Sequence, residues 1–146
     1  MTTLKEKRVI RHKPEHLYAL VADVKSYPEF LPWCMGARIR EQDDSSMRAD
    51  LMIGFRLYRE KFTSYVDLDP ASRTINVEYA DGPFKYLKNA WVFRPHPDGC
   101  EIDFYVDFEF KSALFQSVVE TLFGEAVKKM VRAFETRADA LHDRVS

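Results

Sequence analysis

The groups with chemistry to offer are four histidines, two cysteines and a set of alternating acids. His12 and His16 stand four apart, a separation at which two imidazoles on one helix face can share a metal ion. Pro14 lies between them, however, and a proline breaks a helix interior by removing a donor and clashing with the preceding turn. No carboxylate spacing completes a ligand set, so no metal centre is expected. His96 falls in the turn Pro95-His96-Pro97-Asp98-Gly99 and His142 near the C-terminus, where both read as solvated. Cys34 follows Trp33 with no base close in sequence, which favours a small buried thiol over a nucleophile. Glu101, Asp103, Asp107 and Glu109 resemble paired acids, but they alternate with apolar residues and read as the wet face of a strand. There is no glycine-rich phosphate loop and no nucleophile elbow. These readings point away from an enzyme, with no histidine required for function.

What the chain does supply is apolar bulk on one face. Phe55, Phe62, Tyr79, Phe84, Trp91, Phe93, Phe104 and Phe108 are assigned to the side facing the long helix. Such a set fills a core or lines an apolar pocket carrying few polar groups. Periodicity by itself favours the filled core.

The elements that must position these residues follow from the patterning. Leu4 to His12 reads as a weak strand. Pro14 suits the first turn of a helix, with Glu15 complementing its dipole. Leu17, Tyr18, Leu20, Val21 and Val24 continue at helical spacing. In Tyr27–Trp33 two prolines four apart limit any helix to about one turn. From Ala37 the period changes to two, through Met47–Phe55, Phe62–Leu68, Ile75–Tyr79, Lys85–Arg94 and Cys100–Phe110, with short turns that favour an antiparallel meander. Ser112 can cap a final helix running to about His142, whose apolar residues cover roughly half its circumference. Leu122, Ala126 and Met130 form a stripe expected to face the sheet, with Phe123 and Val127 on one flank, sealing the core or touching a membrane. The expected fold is α+β, six or seven antiparallel strands with a long C-terminal helix, in one domain over residues 1–146.

Composition narrows the function classes. With 146 residues, 46% hydrophobic and 14% aromatic, the chain suits one folded domain and not a disordered one. A net charge of −1, from 22 basic and 23 acidic residues, lacks the basic excess of a dedicated nucleic-acid binder, so DNA is not an expected partner. Two cysteines are too few for a disulfide scaffold and fit free thiols in a reducing compartment. No apolar run is long enough to span a membrane, and the polar start from Met1 to Lys7 resembles neither signal nor transit peptide. A cytoplasmic protein is expected, or one held peripherally on the inner face of a bacterial inner membrane.

One segment narrows the reading further. Ser26-Tyr27-Pro28-Glu29-Phe30-Leu31-Pro32-Trp33-Cys34 closely resembles a signature of the coenzyme Q-binding protein family, whose bacterial members include the RatA-type ribosome association toxins. The resemblance continues through Gly54-Phe55, Lys61-Phe62-Thr63-Ser64, Asp81-Gly82-Pro83-Phe84 with Leu87 and Trp91, Phe108-Glu109-Phe110-Lys111-Ser112, and Ala133-Phe134-Glu135 with Arg137-Ala138. It covers nearly the whole chain. It implies a START-like, polyketide-cyclase-like helix-grip fold, in which a curved sheet wraps the C-terminal helix around a hydrophobic tunnel.

That resemblance also implies a polyprenyl quinone, ubiquinone-like, or a related lipid, held as a ligand and not as a redox cofactor, in support of respiratory electron transport. For some bacterial members it implies instead a toxin that binds a ribosomal subunit, blocks subunit association and inhibits translation. The absence of a presequence favours a bacterial member. On the first reading the tunnel is lined by Phe55, Phe62, Tyr79, Phe84, Leu87, Trp91, Phe93 and Phe104 from the sheet. Leu122, Ala126 and Met130 come from the helix, and Phe30 and Trp33 from a lid that touches ligand or membrane. Tyr79 or Ser64 offers a polar contact to a quinone ring. On the second reading Lys128, Lys129 and Arg132 supply phosphate contacts. A third reading, a cyclase of small aromatic substrates, lacks an acid–base pair inside the apolar set.

Overall fold

The alternation from Cys34 to Phe110 becomes a seven-stranded antiparallel sheet in the computed structural model. Residues 2–31, 33–55, 58–80 and 82–144 are described, except for the side chains at 2, 55, 58, 80, 115, 118, 119, 122 and 123. β1 (Thr2–Ile10) leads into α1 (Pro14–Ala22) and a 3-10 helix (Val24–Glu29). Then come β2 (Cys34–Gln42), β3 (Ser46–Phe55), β4 (Tyr58–Asp69), β5 (Thr74–Ala80), β6 (Phe84–His96), β7 (Gly99–Phe110) and α2 (Ala113–Leu141). Strands β2 to β7 form a meander of neighbours, and β1 closes onto β7, giving the order β1-β7-β6-β5-β4-β3-β2. The expected helix-grip architecture is therefore present. The first strand ends at Ile10, two residues before the expected His12, and β2 starts at Cys34, three before Ala37.

Local chemistry explains the joints. Pro14 occupies the first turn of α1, where its missing N–H costs nothing, and Glu15 lies in the same turn. Pro28 sits inside the short 3-10 helix, whose Val24 and Tyr27 are buried. At the β5–β6 turn Gly82 has φ 65°, and a Cβ there would lie 2.8 Å from the Lys61 carbonyl oxygen, so the position needs glycine. On the outer face Asp50 accepts from Arg40 (3.1 Å) and from the Thr63 hydroxyl (3.1 Å), tying β2, β3 and β4 together.

α2 meets the sheet along Val127, Val131, Phe134 and Ala138, all buried and spaced at one helix face. Val127, expected on a flank where it could seal the core, is buried there, while Ala126 and Met130, expected along the central stripe, are exposed and half-buried but both line the cavity. The side chains of Leu122 and Phe123 lie outside the described residues. The phase is set by the C-terminal half, where Phe134 packs edge-on against Tyr27 (5.6 Å), Phe30 (5.2 Å) and Trp91 (5.6 Å). Neighbouring residues on a helix differ by about 100°, so anchoring at Phe134 carries Ala126 round to the rim.

Polar contacts hold the far end of α2. His12 is fully buried, and its Nε2 lies 2.7 Å from Asp139 Oδ1. Arg144 donates to both Asp139 oxygens, at 2.9 and 3.0 Å, Arg8 reaches Glu135 at 3.2 Å, and Arg137 reaches Glu29 at 2.9 Å. His142, expected to be solvated, stacks on His16 with ring centroids 3.8 Å apart, because the helix end folds back over α1. His96 accepts from the Asp98 amide at 3.1 Å within its turn.

Two outcomes are expected. Phe134→Ala removes the ring that three aromatics share and should cost about 3–5 kcal/mol by denaturant unfolding. Hydrogen bonds from Arg144, then from His12, lower the Asp139 carboxyl from 3.8 to about 2. In that window the unfolded chain binds the extra proton, so stability should fall as pH drops from about 4 towards 2. Asp139→Asn should be less stable at neutral pH and flatter across the same window. An unchanged acid slope in the variant removes Asp139 as its source.

Candidate functional site

A cavity of about 330 Å³ lies between the sheet and α2. It exists because of where the large side chains settle. Phe62 tilts against Tyr79 (4.5 Å) and Phe84 (5.7 Å), Phe84 stacks on Phe110 (4.8 Å), and Trp91 meets Phe104 edge-on (4.7 Å). These rings stack along the wall. Between them stand the shorter Ser64, Val66, Val77 and Val106, which leave the centre of the curved sheet open. Val21, Val24, Tyr27 and Leu31 from α1 and the segment after it complete the wall with Val127, Met130 and Phe134 of α2. Ala126 lines the cavity and is also exposed, so it marks the opening.

Of the residues expected to line a tunnel, the structure brings Trp33, Phe62, Tyr79, Phe84, Leu87, Trp91, Phe104, Ala126 and Met130 to this cavity. Phe30 and Phe93 stand elsewhere. Phe30 packs on Phe134 beneath the Arg137 guanidinium, whose carbon is 5.2 Å from the ring centre. Phe93 has the right parity, but it lies at the end of the sheet that α1 covers, edge-on to Tyr18 at 6.1 Å. The side chains of Phe55 and Leu122 lie outside the described residues. Among the lining residues missing from the expected set are Leu51, Ile53, Val66, Ile75, Val77, Val106 and Phe110 of the strands, each sharing parity with a named aromatic, and Val127 and Phe134 of α2.

The polar groups in the wall divide into two kinds. Trp91 Nε1 donates to Asn89 Oδ1 (2.8 Å), and Asn89 Nδ2 donates to the Tyr105 carbonyl (2.8 Å). The Tyr27 hydroxyl donates to the Val21 carbonyl. These groups are satisfied internally, as buried polar groups must be. Ser64 and Tyr79 are opposite residues in the β4–β5 ladder, and neither hydroxyl has a hydrogen-bond partner among the described residues. They are the groups left to meet a ligand.

Burial, and then the nearby Cys34, pushes the Tyr79 phenol up, so it stays a neutral donor. Burial likewise raises the Cys34 thiol, offset in part by its contact with the Gly36 carbonyl at 3.6 Å. Among the described residues the wall carries no carboxylate, imidazole or amine, and no group of acids, histidines and cysteines is placed to hold a metal. Such a lining can exclude water and donate a hydrogen bond.

The void itself is testable. Val77→Phe adds a ring into open space, so the melting temperature should hold or rise. A solid core would instead lose about 1–3 kcal/mol to overpacking.

With this geometry in view, the chain's relatives are informative. The family described as polyketide cyclase / dehydrase and lipid transport matches residues 10–135. A ribosome association toxin, RatA, of Rickettsia prowazekii is 36% identical over 141 residues, spanning 94% of this chain and 97% of the toxin. The mitochondrial coenzyme Q-binding protein COQ10 homolog B of Xenopus laevis is 35% identical over 144 residues, spanning 95% of this chain and 59% of that protein. The solution structure of an 18 kDa protein from Caulobacter crescentus is 36% identical and superposes with a TM-score of 0.81, over 97% of this chain and 99% of that one.

Proposed function

The chain belongs to the polyketide cyclase / dehydrase and lipid transport family, and from that premise we propose that it binds a polyprenyl quinone or related isoprenoid lipid and carries it in support of respiratory electron transport. The observation that carries this reading is the apolar cavity with two unpartnered hydroxyls, Tyr79 and Ser64. A quinone ring presents carbonyl oxygens and no donors, and a neutral phenol is the group to meet them. The apolar wall removes the first part of a prenyl chain from water, at about 0.8 kcal/mol per buried CH2. The cavity is at the small end of ligand pockets, so the rest of a long chain leaves past Ala126 and Met130. With no acid–base pair in the described wall, the bound lipid is held and not transformed. Among the described residues no helix is long and apolar enough to cross a membrane, so contact with a bilayer on this reading is peripheral.

A second reading has its own observations. The likeness to RatA spans nearly that whole toxin. Lys128, Lys129 and Arg132 lie exposed on α2, outside the ion pairs of the described residues. Cations free of partners suit the phosphates of a ribosomal subunit.

Mass spectrometry of the organic extract of purified protein, followed by quinone titration of variants, separates the two. The carrier reading expects a stoichiometric isoprenoid quinone. Ala126→Trp should lay a ring across the opening and cut affinity at least tenfold with little change in melting temperature. Tyr79→Phe should lose about 1 kcal/mol, roughly a fivefold weakening. Protein that extracts empty, ignores quinone and co-sediments with a ribosomal subunit overturns the carrier reading in favour of the toxin.

A further inference from the structure

A second hollow, of about 280 Å³, lies against the outside of the cavity wall. Its position follows from an irregularity in the sheet. Among the described residues the last β5–β6 pair is Tyr79 with Leu87, and β6 shifts register against β7 between Phe84 and Tyr86. Strict alternation would send Phe84 and Leu87 to opposite faces. With the shift both are buried on the inner face, while Lys85 and Lys88 are exposed. Lys111, just past the end of β7, is drawn in because its amide donates to the Pro83 carbonyl at 2.9 Å. The hollow is lined by Lys85, Lys88 and Lys111 with the carboxylate of Glu78, and by Tyr79, Phe84 and Leu87, which also line the apolar cavity. Three side chains are thus the partition between an apolar space and a basic one.

The charges there are not all paired. Lys85 has Glu109 at 3.9 Å, and Tyr86 donates to Asp107 at 3.0 Å. Glu78 and Asp107 stand opposite Lys88 in the two ladders, yet Lys88 and Lys111 are in no ion pair among the described residues. An anion arriving here meets two uncommitted ammonium groups within reach of an apolar interior. Neither half is a strong site alone, since exposed lysines hold a free anion weakly. A molecule with both an anionic head and a hydrocarbon chain uses the two at once.

We infer that the Lys88–Lys111 hollow is an anion subsite serving the cavity, which takes single-chain amphiphiles with a carboxylate or phosphate head. This rests on the reading that the cavity holds a lipid chain, and it widens the ligand class beyond neutral quinones. The head sits between Lys88 and Lys111, and the chain passes the partition formed by Tyr79, Phe84 and Leu87.

The test compares dodecanoic acid, dodecyl phosphate and dodecanol, each below its micelle concentration, by calorimetric titration of the purified full chain. The two anions should bind about fivefold to tenfold more tightly than the alcohol, and the gap should close as salt is raised. The Lys88→Gln, Lys111→Gln double variant should lose the preference and keep its affinity for dodecanol. Lys5→Gln, on β1 across the sheet, should change nothing. Inorganic phosphate alone should show no millimolar binding. Equal affinity for acid and alcohol overturns the subsite while leaving the lipid cavity intact. Phosphate that binds without a chain makes the hollow a free-anion site and also overturns the proposal. Failure of all three chains to bind overturns it together with the lipid reading.

Discussion

Phe134 meets Tyr27, Phe30 and Trp91 at one point, and that junction joins the three parts of the molecule. Tyr27 and Phe30 belong to the segment after α1, Trp91 to the middle of β6, and Phe134 to α2. The twist of a seven-stranded sheet does not by itself decide where a helix lies against it, but a shared aromatic contact on its concave side does. Edge-on ring geometry adds orientation to the burial of apolar area. The Arg137 guanidinium over Phe30 and its contact with Glu29 secure the same joint from outside. The His12–Asp139–Arg144 cluster secures the next turns of α2.

The cavity is a consequence of that anchoring. With α2 held through Phe134 and Ala138, Val127 seals against the sheet one to two turns earlier, and Ala126 beside it is left on the rim. No large side chain of the described helix enters the concave centre. The rings of the sheet find partners in one another along the wall. What remains is lined by Ser64, Val66, Val77 and Val106, whose side chains are too short to meet across the gap. The interior is apolar, and its described polar groups are either satisfied internally or neutral donors.

Much of this was legible in the residues. Strict alternation from Cys100 to Phe110 placed β7 correctly, and Pro14 marked the start of α1. The phase of α2 was legible in part: Ala126 and Met130 reach the cavity as expected, but which stripe packs most closely on the sheet was not legible. Its apolar arc is about half the circumference wide, so several stripes were equally plausible, and the choice was made by tertiary partners far away in sequence. For the same reason Phe93 looked like a lining residue: parity reports the face of a strand and says nothing of position along it, where α1 already covers that end. Nothing near His12 in the sequence announced Asp139, 127 residues later, as its partner.

The break in β6 carries a further consequence. In a perfectly alternating strand an apolar lining and a charged exterior stay on opposite faces, separated by the hydrogen-bonded ladder. Between Phe84 and Leu87 no pair to β5 is made among the described residues, and the shift against β7 turns two apolar side chains inward with lysines directly beyond them. The apolar and basic surfaces are then separated by side chains alone, Tyr79, Phe84 and Leu87, which move far more easily than paired backbone. An apolar interior and cations in no ion pair, divided only by side chains, are the arrangement expected where a molecule must place one end in oil and the other in water.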